Sequence, residues 1–139
     1  MPNEVFLDTA FALAAALSTD HLHDRATALA KQLKANRTRL ITTRAVPLEI
    51  GNALAKQRYR AAAVRLLSSL EADRNVEIVP LTPDLYAEAF QLFQSRPDKE
   101  WGLVDCVSFV AMSQRNLTEA LTSDEHFKQA GFRALLLEP

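Results

Sequence analysis

The chain has 139 residues, 48% of them hydrophobic, which suffices for one compact domain with a sizeable core and leaves no room for a second. Sixteen basic residues against seventeen acidic ones give a formal charge of -1, so no overall positive field advertises nucleic-acid binding and any such contact must use a local patch. The lone cysteine, Cys106, excludes an internal disulfide and lies in the apolar run Val104 to Met112, which fits a buried reduced thiol and a reducing cytoplasm.

In chain order, Glu4 to Leu7 reads as a short buried strand opening onto Asp8, and the Ala- and Leu-rich stretch Thr9 to Leu17 favours helix. The apolar stretch Val5 to Leu17 has a signal-peptide flavour, but Glu4 and Asp8 flank or enter it and no basic residue precedes it, so it reads as part of a soluble mature chain with no membrane segment. His23 to Ala35 carries helical periodicity through Ala26, Leu29, Ala30 and Leu33, and Leu40 to Thr42 gives a second strand. Arg44 to Gln57 is predicted as the next helix, with Pro47 tolerable only near its first turn, and Ala61 to Ala72 as another with Leu66, Leu67 and Leu70 on one face. Val76 to Val79 follows as a strand, Pro83 to Phe93 as a helix started by Thr82, and Asp105 to Gln114 as a nearly all-apolar, buried helix. Ala120 to Thr122 reads as strand, Ser123 to Ala130 as a helix ended by Gly131, and Ala134 to Leu137 as the last strand.

Short apolar strands that lack a polar face and alternate with helices predict an α/β fold. The expectation is a single domain over residues 1–139, with a mostly parallel central sheet flanked by helices on both faces. Sites in such sheets form at the carboxyl ends of strands, where both Asp8 and Asp124 fall.

Asp8, Glu49, Asp105 and Asp124 each interrupt or follow an apolar stretch. A carboxylate beside a core loses hydration, and several together repel unless a cation or proton neutralises them. Singly, each has a plain alternative. Asp8 and Asp105 fit helix caps, Glu49 fits a solvated residue in the first half of a helix, and near Asp124 the pair Thr122 and Glu125 has capping-box spacing, with Ser123 as another cap. If the four converge, magnesium or manganese relieves the repulsion and leaves positions for phosphate and water, which points to phosphodiester hydrolysis.

Val5-Phe6-Leu7-Asp8-Thr9, Glu49 in a helix after Thr42-Thr43, Asp105-Cys106-Val107-Ser108-Phe109, and Leu121-Thr122-Ser123-Asp124-Glu125-His126-Phe127 together resemble the motifs of PIN-domain ribonucleases over essentially the whole chain. The likeness is greatest to the VapC toxin branch. It implies a PIN-like domain and a magnesium- or manganese-dependent endoribonuclease of a type II toxin-antitoxin system. The metal role falls on Asp8, Glu49, Asp105 and Asp124, and a supporting polar role on Thr9 and Ser123. The resemblance further implies a cognate antitoxin and a homodimer. Where relatives carry Ser or Thr shortly before the third acid, this chain has Gly102 and Val104.

Lys56, Arg58 and Arg60, with Arg44, form the densest basic region and are candidates for RNA phosphates, as Trp101 is for base stacking. A solvated helix end and a loop anchor are the alternatives. His126 reads as packing beside Phe127, His21 and His23 as surface loop residues, and the faces around Phe11, Leu13 and Leu17 or Leu66, Leu67 and Leu70 as core or partner surface. Two competing functions stay open: a catalytically silent PIN-like scaffold that binds RNA or protein, and a receiver-type signalling domain, which shares the length and the acidic pocket but expects adjacent acids after the first strand.

Overall fold

The computed structural model describes residues 3–139. Val5, Phe6 and Leu7 are each at most 2% exposed, so the first strand, β1 (Glu4–Leu7), is covered on both faces, as its unbroken apolar sequence requires. It pairs in parallel with β2 (Arg39–Thr43) on one side and β4 (Glu119–Leu121) on the other. The strands β3 (Val76–Val79) and β5 (Arg133–Ala134) complete the order β3-β2-β1-β4-β5.

Helices α1 (Thr9–Ala16) and α2 (His23–Ala35) connect β1 to β2, α3 (Ala45–Ala53) and α4 (Gln57–Ala72) connect β2 to β3, and α5 (Pro83–Ser95) and α6 (Leu103–Gln114) lead to β4. The short α7 (Glu125–Gln129) leads to β5. The strand order runs one way from β1 to β3 and the other way from β4 to β5. Parallel crossovers are right-handed, so the two sets of helices cover opposite faces, and the reversal between β1 and β4 opens a crevice at the carboxyl ends. A receiver-type sheet has the order 2-1-3-4-5, so that alternative fails on topology.

The elements follow the predicted pattern with five corrections. The helix predicted over Arg44 to Gln57 ends at Ala53, and the following one starts at Gln57 rather than Ala61. Gly51 and Asn52 weaken the last turn of α3, and the Arg60 guanidinium donates from both Nε and Nη2 to the Ala55 carbonyl, which holds the break. The last helix starts at Glu125 rather than Ser123. The last strand stops at Ala134, because the Leu136 N–H donates to the Thr122 carbonyl (3.1 Å) and Leu135–Leu137 forms a 3-10 turn. His23 is not a loop residue: it opens α2, with Nδ1 2.8 Å from the Ala14 carbonyl oxygen.

The core beneath the crevice is aromatic. Phe109 of α6 packs edge-on against Phe127 of α7 and Trp101, at centroid distances of 5.0 and 5.1 Å, while Phe127 also meets Phe6 of β1 at 6.3 Å. Phe11 and Leu70 are buried, and Leu13, Leu17, Leu66 and Leu67 pack against the core, so those two faces are interior. The exposed apolar stripe lies instead on α5, where Tyr86, Phe90 and Phe93 are each more than 40% exposed at helical spacing. Because Phe109 joins α6 to α7, Phe109→Ala is expected to cost about 3–5 kcal/mol. Urea unfolding checks this, with a loss below about 1 kcal/mol contradicting the assigned packing.

Candidate active site

Asp8 is the first residue past β1 and is 5% exposed. Its backbone occupies the N-cap of α1, but its side chain makes no capping bond and turns to Thr122, whose Oγ1 donates to Oδ2 at 2.7 Å. The same Thr122 oxygen accepts the Asp124 N–H at 3.0 Å, and the Asp8 N–H donates to the Leu121 carbonyl at 3.2 Å. One hydroxyl therefore links the carboxyl ends of two adjacent strands. On the other side, Thr42 Oγ1 donates to the Leu7 carbonyl at 2.7 Å and fixes β2 to the same turn. Burial raises the Asp8 carboxyl to about 7; the Thr122 hydrogen bond opposes that shift, and the charges of Glu49 and Asp105 add to it.

Asp105 stands in the first turn of α6, where its Oδ2 accepts the Gly102 N–H at 3.1 Å. This is half of a capping box, since glycine has no side chain to reciprocate. The support that relatives would draw from a Ser or Thr here comes from the Gly102 backbone and from His126, whose Nδ1 lies 2.9 Å from the same oxygen. Asp124 is the N-cap of α7, with Oδ1 accepting the His126 N–H at 2.9 Å; neither Ser123 nor Thr122 caps that helix. That tight turn brings His126 Nδ1 within 3.4 Å of Asp124 Oδ1. Donor atoms of Asp105, Asp124 and His126 all lie within 4.8 Å of one another.

Burial pushes the Asp105 carboxyl up; the His126 bond opposes this and the Asp124 charge adds to it, leaving it raised. Burial pulls the His126 imidazole down, but its bond to Asp105 and the charges of Asp124, Asp105 and Glu100 outweigh that, so it too is raised. The two shifts have different main causes: burial for the Asp105 carboxyl, and the surrounding carboxylates for the His126 imidazole. Glu49, half-buried in the middle of α3, adds to this field through its effect on Asp8.

Thr9 Oγ1 and Thr43 Oγ1, at the carboxyl ends of β1 and β2, and Ser108 Oγ, one turn along α6 from Asp105, are buried without a hydrogen-bond partner among the described residues. Unpaired buried hydroxyls cost about 1–3 kcal/mol each and concentrate where function requires them. A hard divalent cation fits this donor set of clustered carboxylate oxygens with surplus charge.

The other candidates are placed differently. Ser123 makes no hydrogen bond to the acids among the described residues, and the supporting hydroxyl is that of its neighbour Thr122. Trp101 is buried, with Nε1 donating to Gln129, its ring on Phe109 and the Arg96 guanidinium over its face, so it presents no free face to a base. Arg44 is paired with Glu71. Lys56, Arg58 and Arg60 lie at the start of α4, where the helix dipole disfavours cations, rather than at a helix end that favours them. Among the described residues none of these three has an acidic partner within 4.0 Å.

Comparison with known proteins gives the family and the fold. The family model of the PIN domain matches residues 5–133. The 23S rRNA-specific endonuclease VapC20 of Mycobacterium tuberculosis is 26% identical over 128 residues, 92% of this chain and 95% of that protein. The crystal structure of VapC20, described as a sarcin-ricin loop cleaving toxin, superimposes with a TM-score of 0.81 over 92% of this chain and 95% of that one. VapBC2 from Rickettsia felis, bound to a promoter DNA fragment, shares the fold at 14% identity and a TM-score of 0.70, covering 94% of this chain and 96% of that one. FitAcB from Neisseria gonorrhoeae does so at 18% and 0.65, covering 94% of each chain.

The Asp8 carboxyl gives a signed pH dependence. Below about pH 4 it is protonated in both folded and unfolded chains; from about 4 to about 7 it is protonated in the folded chain alone, and above that folding buries a charge. In metal-free buffer its contribution to stability therefore falls as pH rises from about 4 to about 7. Asp8→Asn is expected to remove this fall and to exceed the parent at pH 8 by on the order of 2–4 kcal/mol. Urea melts at pH 5 and pH 8 test it, and equal stability of the two proteins at pH 8 would contradict the burial of this charge.

Proposed function

The chain belongs to the PIN-domain family, and from that premise we propose that it is a magnesium- or manganese-dependent endoribonuclease, a VapC-like toxin held in check by a cognate antitoxin. The observation that supports the reading is that donor atoms of Asp105 and Asp124 lie within 4.8 Å, while Asp8, outside that close group, is joined to Asp124 through the Thr122 hydroxyl and feels the charges of Asp105 and Glu49.

Asp8, Glu49, Asp105 and Asp124 are the residues that would hold the metal. A divalent ion held there would supply stabilisation of charge developing on phosphorus and a lowered pKa for bound water. Thr122 fixes the rotamer of Asp8 by donating to one of its oxygens, and the Gly102 N–H does the same for Asp105, so the carboxylates are oriented before substrate arrives. Thr9 and Ser108 offer hydroxyls beside the same acids. Lys56 and Arg58 are the proposed phosphate contacts; Arg58 stacks over Tyr59 at 4.8 Å, and Arg60 is committed to the Ala55 carbonyl.

The 26% identity to a 23S rRNA-specific endonuclease makes ribosomal RNA the first substrate to test. A cytoplasmic location follows from an RNA substrate, and no described helix is long and apolar enough to cross a membrane. The homodimer that the family resemblance implies has the exposed stripe Tyr86, Phe90 and Phe93 as its proposed face.

Purified protein without antitoxin is expected to cut ribosomal RNA in magnesium or manganese and not in chelator. Asp105→Asn is expected to lower the rate at least about a hundredfold with an unchanged circular dichroism spectrum. Equal cutting by the variant would overturn the role given to Asp105, and no cutting of any cellular RNA would favour a silent scaffold.

A further inference from the structure

His126 has no place in the hydrolytic scheme above, yet its ring lies against two of the acids. Its Nδ1 faces Asp105 Oδ2 at 2.9 Å and Asp124 Oδ1 at 3.4 Å, and the side chain is 29% exposed. The orientation is set by the backbone, because the Asp124 carboxylate accepts the His126 N–H and folds the turn so that the imidazole lies over both acids. A nitrogen lone pair cannot rest against two carboxylate oxygens at these distances unless a proton or a cation lies between them. Around an octahedral ion with bonds of about 2.1 Å, neighbouring ligand atoms stand about 3 Å apart, against 2.9 and 3.4 Å from Nδ1 to the two carboxylate oxygens, with all three donors within 4.8 Å.

We propose that His126 is itself a metal ligand through Nδ1, completing with Asp105 and Asp124 a mixed oxygen and nitrogen set that favours manganese over magnesium. The proposal rests on the metal-dependent reading above and adds a nitrogen to it. Imidazole suits borderline transition ions better than magnesium, which takes oxygen ligands and keeps its waters. The ion replaces the Nδ1 proton, which is released to solvent, while the ring keeps its Nε2 proton.

The test is pulsed electron paramagnetic resonance of the full-length protein loaded with manganese, prepared with natural-abundance and with 15N-labelled histidine. The expected spectrum shows strong nitrogen coupling that changes with the label and is absent in His126→Gln. In calorimetric titrations that variant is expected to bind manganese about tenfold more weakly and magnesium less than about threefold more weakly. Because the parent spectrum alone decides ligation, a poorly folding variant does not remove the test. Manganese bound without histidine coupling would overturn the proposal and leave the carboxylate metal site standing. Failure of manganese to bind at all would overturn both.

Discussion

The arrangement turns on one buried carboxyl. Asp8 sits at 5% exposure in the field of Glu49 and Asp105, a position that neither burial nor charge favours. It is held there by the Thr122 hydroxyl and by the Asp8 N–H to Leu121, bonds that cross from β1 to β4. That crossing exists because the strand order sets β4 directly beside β1, where the connections change from one side of the sheet to the other. A divalent cation bound beside this carboxyl would offset the cost of its burial.

The remaining acids reach this point through packing. Asp105 rides on a helix whose Cys106, Val107 and Phe109 are buried, so α6 has no freedom to turn its acid away. Phe109 contacts Phe127, and Phe127 anchors the short α7 whose N-cap is Asp124. Each T-shaped aromatic pair adds about 0.5–1.5 kcal/mol beyond its buried area, and here that energy fixes the spacing between two carboxylates. The core and the site are coupled through one row of rings.

Most of the fold was legible because each strand is a short apolar run and each helix carries its own periodicity. The acids stood out for a related reason: in a chain that packs Val5 to Leu7 and Val104 to Met112 inside, a carboxylate needs a reason to be there. What escaped was settled by contacts distant in sequence. Thr122 is an ordinary strand-end residue until Asp8, 114 positions away, is placed beside it. His126 looked like a neighbour of Phe127, and only the turn capped by Asp124 aims its ring at Asp105, 21 positions away. Its spacing two residues after Asp124 was the one local hint. Of the two readings of Trp101 the structure takes the loop anchor, through contacts with Phe109 and Gln129 that the loop sequence does not show. The break between α3 and α4 depends on Arg60 reaching back to Ala55, again invisible to periodicity.

The claim that these acids form one metal-binding centre is tested most directly by locating the ion. Crystals grown with manganese and measured with anomalous diffraction at its absorption edge are expected to show density within bonding distance of Asp105 and Asp124 and next to the Asp8 carboxyl. Saturating manganese with no density there, or density only at exposed acids elsewhere, would contradict the account.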